Sequence, residues 1–211
     1  RRIDVDAADL SCWLLASTKK SIMSRLTRRS YADFSDEEKI LFDKIAKGRQ
    51  GVADGHIGGP FDVWVLSPEM GDRLNSLGGM FRFRTAVNRR YIELAILMIG
   101  ADWQAQFEWY AHEPMARQAG LPEHVIAAIK TGQMPVFDDT GDRLTYAVCH
   151  ELQTQRHVNT ATFTAAVELF GERGVAEIIN VAGFYTMVCM SLNTFEVDLP
   201  EGAEYPFPRN Q

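Results

Sequence analysis

The sequence predicts an all-α protein folded as a single helical bundle, and three observations carry that reading. Apolar residues recur at three- and four-residue spacing in one segment after another. No stretch alternates apolar and polar residues with the period of a strand. The segments are bounded by capping residues, prolines and glycines of the kind that start and stop helices. At 211 residues the chain has room for one compact core, and 46% hydrophobic with 24% charged residues is an ordinary globular balance.

Taken in order, residues 1–34 read as an N-terminal arm. Leu10, Trp13, Leu14 and Ser17 have helical spacing, followed by a basic run from Lys19-Lys20 to Arg28-Arg29. Such an arm docks one apolar stripe on its own domain, or serves a partner or a second subunit. The main domain spans 35–200. Ser35 and Glu38 form a capping box, and the helix they start, with Ile40, Leu41 and Ile45, should stop at Gly48. Five glycines and a proline between 48 and 60 mark a loop; no phosphate-cradling pattern accompanies them. Ser67-Pro68-Glu69 opens the next helix, to Phe83, with Ser67 as its capping hydroxyl. Arg89–Ala101 is apolar on nearly every face and so should be buried. Gln104–Glu113 follows, with Pro114 expected to break or restart it, and Ala116–Gly120 should end at its glycine. Pro122–Ile129, Gly141–Gln155, Thr160–Phe170 (stopped by Gly171) and Val175–Phe195 complete the helices. Residues 201–211 read as an extended tail crossing the domain. Glu93 and Glu177, each near the start of an apolar helix, hint at an internal duplication.

Several function classes fall away on composition. A net charge of -6 and a pI near 5.4 leave no basic footprint for nucleic acid. The near-continuous apolar runs, Leu94–Ala101 and Val181–Met190, are too short to span a membrane, and Arg1-Arg2 followed by Asp4, Asp6 and Asp9 is no secretory signal. Cys12, Cys149 and Cys189 are far apart, which predicts reduced thiols, a cytoplasmic setting and no zinc site.

The unusual residue is Glu93, set inside Tyr91–Ile99, where a carboxylate must be buried or paired. Glu108 and His112 lie four apart and share a helix face. An imidazole beside two carboxylates is an acid–base device. The plainer alternative is structural: a buried Glu tied to one of Arg82, Arg84, Arg89 or Arg90 just upstream, and a satisfied histidine. Glu108 and His112 offer two metal ligands and no third, so no metal is expected.

The line Glu93-Leu-Ala-Ile-Leu, Phe107-Glu108-Trp109, His112 and Ala119-Gly120-Leu121 resembles the carboxymuconolactone decarboxylase family. Gly59-Pro60-Phe61 with Ser67-Pro68-Glu69 is similar to its upstream part, and Gly183-Phe184-Tyr185 with Asn193 to its downstream part. The resemblance implies the alkyl hydroperoxidase D-like fold, no cofactor, and a homo-oligomer such as a trimer or hexamer. The redox members of that superfamily work through a Cys-x-x-Cys between the Glu and the His. The matching positions here, seven and four residues before His112, are Ala105 and Glu108, which form neither thiolate nor disulfide.

By the resemblance, the activity is a lyase removing CO2 from a small carboxylated lactone or related unsaturated acid. His112 is then the candidate general acid and Glu93 its orienting partner, with Glu108 as an alternative acid. Arg82, Arg84 or Arg89 would grip the substrate carboxylate, and Trp109, Phe61 and Trp64 would be apolar walls. Two further readings stay open: a non-catalytic relative that binds a ligand or partner, and a peroxidase-type member working through Cys149 or Cys189.

Overall fold

The computed structural model describes residues 24–49 and 51–208. The proposed arm stripe, Leu10 to Ser17, and Lys19-Lys20 lie outside the described residues. Eight helices follow in order: α1 Asp36–Ala46, α2 Phe61–Val65, α3 Pro68–Phe83, α4 Arg89–Asp102, α5 Gln106–Gln118, α6 Glu123–Lys130, α7 Thr140–Gln155 and α8 Thr160–Thr194. No strand occurs among the described residues, so the molecule is all-α.

Helix α4 is the axis of the bundle. Its residues Ile92 to Gly100 are all buried, and it packs against α3, α5, α6, α7 and α8. A helix apolar all round has no face to give to water, so other helices must surround it. A satellite cluster of Phe34, Leu41, Phe42, Ile45 and Val65 joins α1 and α2 to the loop before them. There α2 meets α3 so closely that a Cβ on Gly71 would stand 2.4 Å from the Trp64 carbonyl oxygen. The end of the arm is tied down, because the Ser24 backbone N–H donates to Asp198 at 3.1 Å.

Local signals set most of the boundaries. Both bonds of the Ser35–Glu38 capping box form. The chain breaks at Gly171 (φ 69°, ψ 166°), so α8 is two helices end to end, as the glycine predicts. By length and composition alone α8 is long and apolar enough to cross a membrane, but half of its most apolar window is buried in the bundle.

Three expectations are corrected, and one helix, α2, is added to those expected. Pro114 does not break α5, which runs on to Gln118. Both Pro114 and Tyr110, whose carbonyl loses its helical partner, are exposed, so water serves the freed acceptor. Ser67 precedes α3, but its hydroxyl makes no capping bond. The short α2 carries no sequence signature of its own. Glu177 is no counterpart of Glu93: its carboxylate accepts the Ala86 backbone N–H at 2.7 Å, outside the core.

Candidate active site

A tight α4–α5 connection builds the site. Ala105 donates its backbone N–H to the Gly100 carbonyl at 2.9 Å, turning the chain so that the two helices run antiparallel side by side. Glu93 on α4 then faces His112 on α5. The His112 Nδ1–H donates to Glu93 Oε2 at 2.8 Å. On the other side of the ring, Nε2 stands 3.0 Å from Glu108 Oε1. Glu108 sits in the first turn of α5, where the helix dipole favours a carboxylate. Arg89, one turn before Glu93, pairs with Glu93 Oε1 and also donates to the Arg82 carbonyl.

These four groups form a chain, Arg89–Glu93–His112–Glu108, buried except for the half-buried Arg89, whose formal charges cancel when the imidazole is protonated. Glu93 is 0% exposed, Glu108 3% and His112 6%, so neither carboxylate is hydrated. Burial alone would lower the His112 pKa; the Glu108 and Glu93 carboxylates facing the two ring nitrogens outweigh it and raise the pKa to about 9. The imidazolium is therefore the resting form at neutral pH. The Arg89–Glu93 and Nε2–Glu108 contacts are ion pairs without hydrogen-bond alignment. That leaves Glu93 Oε1 and Glu108 Oε1 with unused acceptor capacity inside the protein.

Helix α8 closes the site with Tyr185, whose ring meets His112 edge-on at 5.1 Å. Burial first, then the Glu108 charge, pushes the Tyr185 phenol up, so it stays neutral. From Tyr185 an aromatic run leads outward through Phe184 and Trp64 to Phe61, ring to ring. Arg49 lies over the Phe61 ring at 4.3 Å.

The other proposed residues take different positions. Arg82 is half-buried, donates to the Gly78 carbonyl at 3.2 Å, and lines a groove of about 710 Å³ with Phe83, Thr85, Arg89, Met115 and Gln118. Arg84 is exposed at the end of α3. Trp109 is fully buried, and its indole N–H donates to Glu113 at 2.9 Å. Glu93, Glu108 and His112 line neither this groove nor the two clefts beside the tail described below.

Cys149 and Cys189 are both buried free thiols. Burial pushes Cys149 up to about 12 and Cys189 higher still, the latter with help from the Glu108 charge. Neither is a thiolate at neutral pH.

Two residues escaped the sequence reading. Tyr185 lies within the quoted Gly183-Phe184-Tyr185, but a tyrosine in an apolar helix carries no sign of its partner. Arg49 sits in a glycine-rich loop with no signal at all. Its pKa is lowered by burial and then by repulsion from Arg82, and among the described residues neither arginine has a carboxylate partner.

Comparison with known proteins agrees with this architecture. The sequence matches no protein-family model and no curated protein. A peroxidase-related protein from Silicibacter sp. TM1040 superposes with a TM-score of 0.66 at 14% identity, over 86% of this chain and 94% of that one. The alkylhydroperoxidase AhpD core of a peroxidase-related protein from Ralstonia eutropha JMP134 gives 0.67 at 14% identity, over 84% and 93%. The chain thus has the alkyl hydroperoxidase D-like fold, an all-α architecture shared with these two proteins.

Proposed function

We propose that this chain is a cofactor-free acid–base enzyme, a carboxy-lyase of the carboxymuconolactone decarboxylase type acting on a small carboxylated lactone or related unsaturated acid. The observation that carries the reading is His112, held protonated between two buried carboxylates. Loss of CO2 breaks a carbon–carbon bond and leaves its electron pair on the substrate, delocalised into the lactone carbonyl as a dienolate. The reaction then needs one proton delivered to carbon. His112 supplies it, directly or through Glu108, and regains it from solvent, while Glu93 holds the ring. Arg82 and Arg89, at the groove beside the site, grip the substrate carboxylate, and Arg49 adds a second uncompensated cation nearby.

The dithiol route of the redox relatives is not available at Ala105 and Glu108, and Cys149 and Cys189 are poor nucleophiles. A second reading has its own support. Glu93 is sealed beneath Arg89, as in a site that only ties α4 to α5, which favours a non-catalytic relative that binds a ligand or partner. Screening carboxylated lactones and keto acids with wild type and His112→Ala separates the two. Turnover lost in the variant supports the lyase; turnover unchanged by it removes His112 from the mechanism; binding without turnover in wild type favours the second reading.

The same reading includes a cytoplasmic homo-oligomer, a trimer or hexamer. It is supported by the apolar groove between α3 and α8, where Leu77 is 39% exposed and Met190, nearby on α8, 46%. Light scattering that reports a monomer at micromolar concentration would remove the oligomer.

A further inference from the structure

The C-terminal tail is docked on the bundle through Phe207. Gly202 turns it back across the bundle, and Phe207 is only 7% exposed. Its ring meets Trp109 edge-on at 5.4 Å. Its backbone is gripped at two points by one side chain. The Phe207 N–H donates to Gln106 Oε1 at 3.0 Å, and Gln106 Nε2 donates to the Phe207 carbonyl at 3.0 Å. A primary amide thus pairs with both backbone groups of one residue, satisfying the Phe207 N–H and carbonyl.

The segment is built for such a grip. In Tyr205-Pro206-Phe207-Pro208 the prolines fix their own φ and carry no N–H, and the chain bends at Pro206-Phe207, so between the two prolines Phe207 is the residue left to pair. Little conformational entropy is lost on docking. The tail also divides a depression. On one side lies a cleft of about 160 Å³ lined by Phe107, Leu192, Asn193 and Tyr205. On the other lies a cleft of about 400 Å³ lined by Met98, Asp102, Ile129 and His150. Gln104 and Pro208 border both.

We infer that Gln106 and Trp109 form a docking site for a bent Pro-Phe-Pro segment, and that residues 205–208 are its detachable intramolecular occupant. Release of this strap joins the two clefts into one trough along the N-terminal end of α5, with Trp109 as its floor. The occupant is the chain's own tail because the contacts are specific to it and its tether keeps it at high effective concentration. The inference does not depend on the chemistry assigned to His112.

The test is competition with the acetylated, amidated peptide Ala-Glu-Tyr-Pro-Phe-Pro, which copies residues 203–208. NMR follows the Gln106 side-chain amide and the Trp109 indole N–H in the full chain. In Phe207→Ala the site is vacated, and the peptide should shift both signals saturably, binding at least 10-fold more tightly than to wild type. Adding Gln106→Ala should abolish the shifts. Amide exchange in residues 203–208 should quicken at least 10-fold in Gln106→Ala. If Phe207→Ala does not fold, Phe207→Leu and the exchange measurement in Gln106→Ala carry the same decision. No peptide binding to a vacated site, equal binding to wild type, or unchanged exchange overturns the strap. Because His112→Ala should leave peptide binding unaltered, the strap and the lyase reading fail separately.

Discussion

Helix α4 carries two ion pairs with buried carboxylates, whose half-buried cations are adjacent in sequence, and they are built differently. Arg90 reaches Asp142 with a forked grip, Nε to Oδ1 at 2.9 Å and to Oδ2 at 3.1 Å, joined by Nη2. Asp142 also lies in the first turn of α7, where the helix dipole suits it. That pair is closed, with two permanent charges and good alignment. Arg89 instead enters a chain that passes through an imidazole and ends on Glu108, with poorly aligned contacts and spare acceptors. The first pair is what a joint between two helices needs. The second contains a titratable imidazole, which the first lacks.

The largest effect expected from breaking this contrast is on turnover. His112→Ala should cut kcat by about 10²–10⁴-fold, the usual share of a general acid, in protein that remains folded by circular dichroism. Next comes stability. Asp142→Ala should cost about 3–5 kcal/mol in urea denaturation by stranding Arg90, with turnover per folded molecule unchanged. Lost turnover in folded Asp142→Ala would erase the distinction between the two pairs.

The third effect is on pH dependence. His112 has a folded pKa of about 9 against 6.5 ordinarily, so the folded state favours the protonated form. Its contribution, on the order of 3 kcal/mol, is whole below pH ~6.5 and lost as pH rises through ~9. Glu108→Gln should move the His112 NMR titration midpoint down and flatten that loss; an unmoved midpoint would mean that Glu108 does not hold the proton in place. The smallest effect is at the thiols. Cys149→Ala and Cys189→Ala should each cost about 1 kcal/mol and leave turnover intact. Native protein at pH 8 should resist alkylation at both positions, and rapid labelling of Cys189 would return a thiol mechanism to consideration.

Much of the site was legible in advance for a simple reason. Glu93 stands out because a carboxylate within an apolar helix is costly unless partnered, and Glu108 with His112 because four-residue spacing shares a face. The choice among the arginines was not legible. Arg82, Arg84, Arg89 and Arg90 all lie within a few residues of Glu93, and only the packed helices show that Arg89 takes Glu93 while Arg90 turns to α7. Tyr185 was invisible as a partner because its contact spans more than 70 positions of sequence.

The sequence by itself determined the helical class, most helix boundaries, the break at Gly171 and the burial of α4. Those features rest on caps, glycine conformation and apolar periodicity, which act over a few residues. Only the tertiary structure decided that α5 runs through Pro114, that Phe207 returns to the core on Gln106 and Trp109, and that His112 lies between Glu93 and Glu108. Each depends on what stands opposite in space: solvent to serve a freed carbonyl, an amide to grip a backbone, or a second carboxylate to hold a proton.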